Sequence, residues 1–196
     1  MGKKMLSYEE SLKILKETKA LLEGHFILSS GLHSNQYIQC AKLLSFPDKA
    51  QTICASLSEK IRENFNKIDL VLSPALGGVV VGYEIARQLN VKSIFAERNN
   101  SQLILRRGFD ILKNSNVLVV EDVITTGKSA LECSDIIKEK KANLVGYACI
   151  IDRSKGKLLI KDKIISQIKF NIPTFNKDEL PNELKKIPPV KLGSRK

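Results

Sequence analysis

The sequence predicts an α/β fold in which a central parallel sheet carries helices on both faces. Short runs without a polar side, Val117-Leu-Val-Val120 and Leu144 to Ile151, read as strands buried on both faces. Helical stretches alternate with such strands through the second half of the chain, as crossover connections between parallel strands require. The 196 residues, 43% apolar and 27% charged, have the size and composition of a single globular domain, residues 1–196, and exclude a disordered tail protein.

Ser7 followed by Glu10 forms a capping box, and apolar residues at three and four spacing carry the first helix to Leu22, with Gly24 as its stop. Phe26 to Gln39 reads as two short extended pieces around a Ser/Gly/Asn turn. A second helix spans about Pro47 to Asn64, with proline in its first turn. Asp69 to Leu72 is a strand, Val79 to Leu89 a helix and Lys92 to Ala96 a strand. Residues 97–116 are mostly loop, with an extended piece at Leu103 to Phe109. The strand at Val117 leads into a helix from Thr126 to Lys141 and then the strand ending at Ile151. Ile164 to Ile172, closed by Pro173, suits an edge strand. The chain thus divides into an N-terminal segment, 1–45, the sheet, and a basic C-terminal tail, 153–196.

The net charge of +11 raises a nucleic-acid reading, but residues 1–152 contribute only +3 and residues 153–196 the other +8. The tail lysines alternate with apolar residues, which points to a solvated basic surface, or one that attracts a polyanionic small molecule, before a nucleic-acid stripe. No apolar run approaches the roughly 20 residues a membrane span needs. The start, Met1-Gly-Lys-Lys-Met-Leu6, carries no leader pattern, so a cytoplasmic location is expected. Cys40, Cys54, Cys133 and Cys149 lack any Cys-x-x-Cys spacing and are expected as isolated thiols of a reducing compartment.

In open α/β sheets ligands bind at the carboxyl ends of the strands. After Val120 comes Glu121-Asp-Val-Ile-Thr-Thr-Gly-Lys-Ser129 and then a helix. Thr125, Thr126, Gly127, Lys128 and Ser129 can cup a phosphate with backbone N–H groups, hydroxyls and the positive helix end. Glu121 and Asp122 would repel a phosphate but suit sugar hydroxyls or a metal ion. A phosphate with hydroxyl acceptors nearby outlines a ribose 5-phosphate. A P-loop would need glycine where Asp122 stands, and Gly77, Gly78 and Gly82 read as turn and helix-packing residues.

Val117 to Ser129 closely resembles the thirteen-residue phosphoribosyl-diphosphate signature of the type I phosphoribosyltransferases. Within that family the rest of the chain resembles the orotate-using branch: Phe26-Ile-Leu-Ser-Ser-Gly-Leu-His-Ser34 with Tyr37, Ser73-Pro-Ala-Leu-Gly-Gly78, Phe95-Ala-Glu-Arg98, Leu105-Arg-Arg-Gly-Phe109, Ile151-Asp-Arg153 and the ending Gly193-Ser-Arg-Lys196. The resemblance implies a small N-terminal hood over the base and transfer of the phosphoribosyl group to orotate, giving orotidine 5′-monophosphate for pyrimidine biosynthesis. It implies Mg²⁺ carried by the donor, no metal held by the protein itself, and a homodimer. Glu121 and Asp122 are then ribose ligands, residues 121–129 including Val123 and Ile124 line the donor, Arg98 meets the diphosphate, and Thr125, Arg153 and Ser30 border orotate. The physics agrees for Arg153, since a planar guanidinium suits the carboxylate that distinguishes orotate from uracil.

The chain also departs from many relatives, which carry lysines and a histidine on the mobile loop and a lysine in the diphosphate loop. Here Asn99-Asn100-Ser101-Gln102 and Leu76-Gly77 stand there. Arg106 and Arg107 are expected to fold over the diphosphate and join Glu121, Asp122 and Arg98 as catalytic residues, the alternative being an ordinary hairpin. His33 reads as a turn residue rather than a general base, and Pro181 to Leu184 replaces a cysteine pair of some relatives, which suggests no metal there. Phosphoribosyl transfer to a purine, or a non-catalytic sensor acting on nucleic acid through the tail, are the alternatives.

Overall fold

The computed structural model describes residues 4–28, 30–154 and 158–192. The expected ending at residues 193–196, the first three residues of the start, and Ser29 of the hood segment lie outside the described residues.

Helix α1 (Tyr8–Glu17) opens with the expected capping box between Ser7 and Glu10. It ends five residues before Leu22, where the sequence placed its end. Thr18 returns its hydroxyl to the Ile14 carbonyl and Lys19 adopts φ 54°, so the chain turns out of the helix. Leu21 and Leu22, which fit the helical spacing, instead open strand β1 (Leu21–Ile27), paired antiparallel with β2 (His33–Ile38). A short helix, α2 (Cys40–Leu44), escaped the sequence reading, and α3 (Pro47–Asn64) matches it at both ends.

Strands β3 (Leu70–Pro74), β4 (Lys92–Asn99), β5 (Gln102–Leu105), β6 (Asn116–Ile124), β7 (Asn143–Asp152) and β8 (Ile164–Lys169) form one sheet in the order β5-β4-β3-β6-β7-β8. All neighbours are parallel except β4 and β5. The segment expected as mostly loop therefore begins as a hairpin. Asn100 and Ser101 form its two-residue turn with φ 43° and 76°, the positive pair that matches the twist of paired strands. β8 takes the expected edge position.

The buried strands divide their side chains by the period of two. Val71, Leu118, Val120, Ala148 and Ile150 face α3 and α4 (Gly77–Leu89), meeting Ile53, Leu57, Ile61, Val81 and Ile85. Leu70, Leu72, Val117, Val119, Tyr147 and Cys149 face α5 (Lys128–Glu139), meeting Ala130, Cys133, Ile136 and Ile137. Each such fully buried aliphatic side chain contributes about 1.5–3 kcal/mol relative to exposure, which fixes the register of the strand ends. All four cysteines are free and buried. Among the described residues no helix is long and apolar enough to cross a membrane.

The basic tail does more than cover an edge. After a short helix, α6 (Asn182–Lys185), it supplies β9 (Val190–Lys191), which joins β1 in parallel and makes the hood a sheet of order β2-β1-β9. Buried His25 clasps this return: its Nδ1 lies 2.7 Å from the Ile187 carbonyl and its Nε2 lies 2.6 Å from His33 Nδ1. His33 begins a strand and is buried, so it belongs to the hood's frame and not to a turn.

Candidate active site

The sheet itself opens the site. β3 pairs with β6 only from Leu70/Val117 to Leu72/Val119, whereas β6 stays paired with β7 as far as Ile124 and Asp152. β3 continues instead with β4, through Pro74 and Ala96. The chain runs outward from β3 to one edge and from β6 to the other, so the crevice between their carboxyl ends is a topological switch point, where open α/β sheets bind ligands.

A cavity of about 500 Å³ occupies this crevice, lined by Arg98, Glu121, Val123, Thr125, Thr126, Gly127, Lys128 and Ser129. Seven of the nine residues singled out after Val120 are therefore in its wall beside Arg98. Asp122 and Ile124, alternating to the other face of β6, are not in that wall. Ile124 is core. The Asp122 carboxylate presses on the start of α4: a Cβ on Gly77 would stand 2.7 and 2.8 Å from its two oxygens. Gly77, read as a turn residue, thus makes room for a carboxylate, while Gly82 keeps its expected packing role, since a Cβ there would meet Ser73 Oγ at 1.9 Å.

Thr125 to Ser129 bends onto α5 through Gly127, which caps the helix at φ 78°. No side chain caps the helix and no acidic residue stands in its first turn. Thr126 Oγ1 accepts weakly from Lys128 N–H at 3.4 Å. An uncapped helix start with its positive end in a cavity wall is an anion cup. A feature invisible in the sequence buttresses it from behind: Leu159 N–H donates to the Thr126 carbonyl at 2.9 Å, and Ile160 packs so closely on Gly127 that a Cβ there would meet it at 2.6 Å.

Both carboxylates titrate abnormally. Burial, and then the neighbouring Asp122 charge, push Glu121 up to about 7, and burial also raises Asp122 against backbone hydrogen bonds that lower it. Neither carboxylate has donors or cations enough to offset its desolvation. The folded state therefore binds the Glu121 proton more tightly than the unfolded chain, whose value is 4.5, and stability falls as pH rises between 4.5 and about 7. Glu121→Gln is expected to stabilise the free protein by up to about 3 kcal/mol at pH 8 and by nothing at pH 4. Thermal unfolding at the two pH values checks this, and a variant less stable at both contradicts it.

Arg98 forms an ion pair with Glu132 of α5 at 3.0 Å and donates to the Ser101 carbonyl. Arg107 pairs with Glu97 through two contacts, 2.7 and 3.1 Å, and lies over the Phe95 ring. Arg106 and Arg107 are exposed at the base of the hairpin and do not line the cavity. Arg153 follows β7, its backbone N–H on the Ile124 carbonyl. Its Nε is buried without a hydrogen-bond partner among the described residues, and burial lowers its pKa against an opposing contribution from Tyr37 of β2. The hood thus faces Arg153. Ser30 is exposed in the hood turn and does not line the cavity.

Residues 47–179 match the family model of the phosphoribosyl transferase domain. The chain is 49% identical over 191 residues to an orotate phosphoribosyltransferase of Caldicellulosiruptor saccharolyticus, covering 97% of this chain and 99% of that one. Its fold is similar to the crystal structure of orotate phosphoribosyltransferase from Aeropyrum pernix, with TM-score 0.65 and 24% identity over 81% of this chain and 93% of that one. It is also similar to the adenine phosphoribosyl transferase of Trypanosoma brucei, with TM-score 0.63 and 18% identity over 84% and 82% of the two chains. The fold is thus shared between enzymes named for different bases, and the close sequence relationship decides between them: this chain belongs to the orotate phosphoribosyltransferase family.

Proposed function

We propose that this chain transfers the 5-phosphoribosyl group from phosphoribosyl diphosphate to N1 of orotate, releasing diphosphate and forming orotidine 5′-monophosphate for pyrimidine biosynthesis. The observation that carries this reading is the cavity at the sheet's switch point, walled on one side by an uncapped helix start and on the other by Glu121 and Arg98. The 5-phosphate sits in the Thr125–Ser129 cup. Glu121 and Asp122 accept from the ribose hydroxyls on the two faces of the β6 end, and those donors would offset the burial that raises both carboxylates. The bond from C1 to the leaving oxygen breaks as the bond to N1 forms and N1 sheds its proton. Positive charge grows on the sugar and negative charge on the leaving group, so positioning and electrostatics carry the catalysis. Arg98 is the wall cation that meets the diphosphate. Arg153 and Tyr37, with Thr125, border orotate, the guanidinium reading its carboxylate.

The donor set fits Mg²⁺ brought in by the substrate. Two adjacent carboxylates are hard oxygen donors, and among the described residues no cluster of three or more His, Cys, Asp or Glu makes a protein cage. When bound, the ion would neutralise charge on the diphosphate. The four buried, free thiols fit a cytoplasmic enzyme. A homodimer is supported by Leu76, Val80 and Tyr83, which expose 86%, 51% and 65% of their surface along one side of the start of α4, an apolar stripe suited to a second copy.

One diphosphate released per orotate consumed, only with Mg²⁺ and phosphoribosyl diphosphate present, is the expected stoichiometry; orotate loss without diphosphate overturns the reading. Arg106→Gln with Arg107→Gln is expected to lower kcat by at least about tenfold, corresponding to about 1.4 kcal/mol. Orotate affinity should change much less. Normal turnover would leave these arginines to the hairpin, where the Glu97 pair holds Arg107.

A further inference from the structure

We infer that Glu132 is a positioning residue for diphosphate recognition, holding the Arg98 guanidinium in the cavity wall and setting its distance from the phosphate cup. The inference rests on the reading of Arg98 as the diphosphate cation. Glu132 lies on α5, whose N-terminal end closes the phosphate cup, so a side chain anchored to Glu132 is registered against the 5-phosphate position. Arg98 comes from the far strand β4, close to an exposed hairpin turn, and its side chain is 43% exposed. Without an anchor, so long a side chain would sample many rotamers and lose entropy on meeting a ligand.

Two contacts prevent this. Arg98 Nη1 donates to the Ser101 carbonyl of its own turn, and Nη2 lies 3.0 Å from Glu132 Oε2. That oxygen is buried, yet among the described residues no N–H is aligned on it for a hydrogen bond. The carboxylate therefore holds Arg98 by charge and proximity while leaving guanidinium N–H groups for an anion. A carboxylate near a polyanion site could also act as a competitor. The geometry points the other way: Arg98 lines the cavity and Glu132 does not, so the cation and not the carboxylate faces the ligand.

The test measures the affinity of inorganic diphosphate with Mg²⁺ by calorimetry, together with the KM values of both substrates, for the wild type, E132A, E132Q, R98A and R98A/E132A. E132A and R98A are each expected to weaken diphosphate about tenfold, and the double variant no more than R98A alone, the non-additivity of residues acting as a unit. E132Q, which keeps the shape but removes the charge that holds Nη2, should weaken diphosphate nearly as much as E132A. KM for orotate should stay within about twofold in E132A, which a merely structural lesion would not spare. Loss of diphosphate affinity in R98A but not in E132A overturns the role of Glu132. Unchanged affinity in R98A overturns the Arg98 reading beneath it. Tighter diphosphate binding by E132Q than by the wild type would make Glu132 a competitor and equally overturn the proposal.

Discussion

Asp122→Asn is expected to lose at least about a hundredfold in kcat while unfolding at the same temperature as the wild type or slightly above it. The two halves of this expectation have one cause. The Asp122 carboxylate is desolvated at the end of β6 against Gly77, and burial raises its pKa, so the folded free protein gains nothing by ionising it. Asparagine has the same shape, fills the same space beside Gly77 and removes that cost. What it removes as well is the anionic acceptor for a ribose hydroxyl and the negative charge facing the sugar as positive charge develops there. Steady-state kinetics beside a thermal melt separates the effects. Normal turnover, or a collapse of both stability and activity, would mean that Asp122 serves the frame and not the substrate.

Arg153→Ala carries the second large effect, confined to one substrate. The Arg153 Nε is buried and unpartnered among the described residues, and desolvation lowers its pKa, so this side of the half-buried guanidinium has lost water without gaining an acceptor among them. Orotate's carboxylate supplies the missing partner in a setting where removing one side of a charge-assisted pair costs about 2–5 kcal/mol. That corresponds to an increase in orotate KM of at least about thirtyfold, with the KM for phosphoribosyl diphosphate nearly unchanged. Equal losses for both substrates would show that Arg153 supports general structure.

The parts of this site that could be read from the sequence are those contiguous in it. Glu121 to Ser129 passes from a buried strand to a helix start without interruption, so the order of residue types defines the geometry, and the structure puts Glu121, Val123 and the phosphate cup in one wall. The parallel sheet was legible because strands buried on both faces have no polar alternation. Contacts across long separations were not. Leu21 and Leu22 satisfy a helical period, and only their pairing with Tyr37 and Ile38 makes them strand. β9 is two exposed residues whose place beside Phe26 and Ile27 no local pattern announces. Glu132 looks like any helix glutamate until β4 brings Arg98 to it, and Ile160 has no sequence signal as the buttress of Gly127. The Glu97–Arg107 pair likewise depends on the hairpin register, which follows from two positive-φ residues at Asn100 and Ser101.

The most direct test of the account is a comparison of bases. With Mg²⁺ and saturating phosphoribosyl diphosphate, kcat/KM is measured for orotate, for uracil, which differs by the carboxylate, and for adenine and guanine. A site whose half-buried Arg153 carries an unpartnered Nε rejects the analogue that lacks the carboxylate, so orotate should exceed uracil by at least about a thousandfold and the purines should not react. Uracil or a purine consumed as efficiently as orotate would contradict the assignment of Arg153, and with it the claim that the hood and the end of β7 select the base.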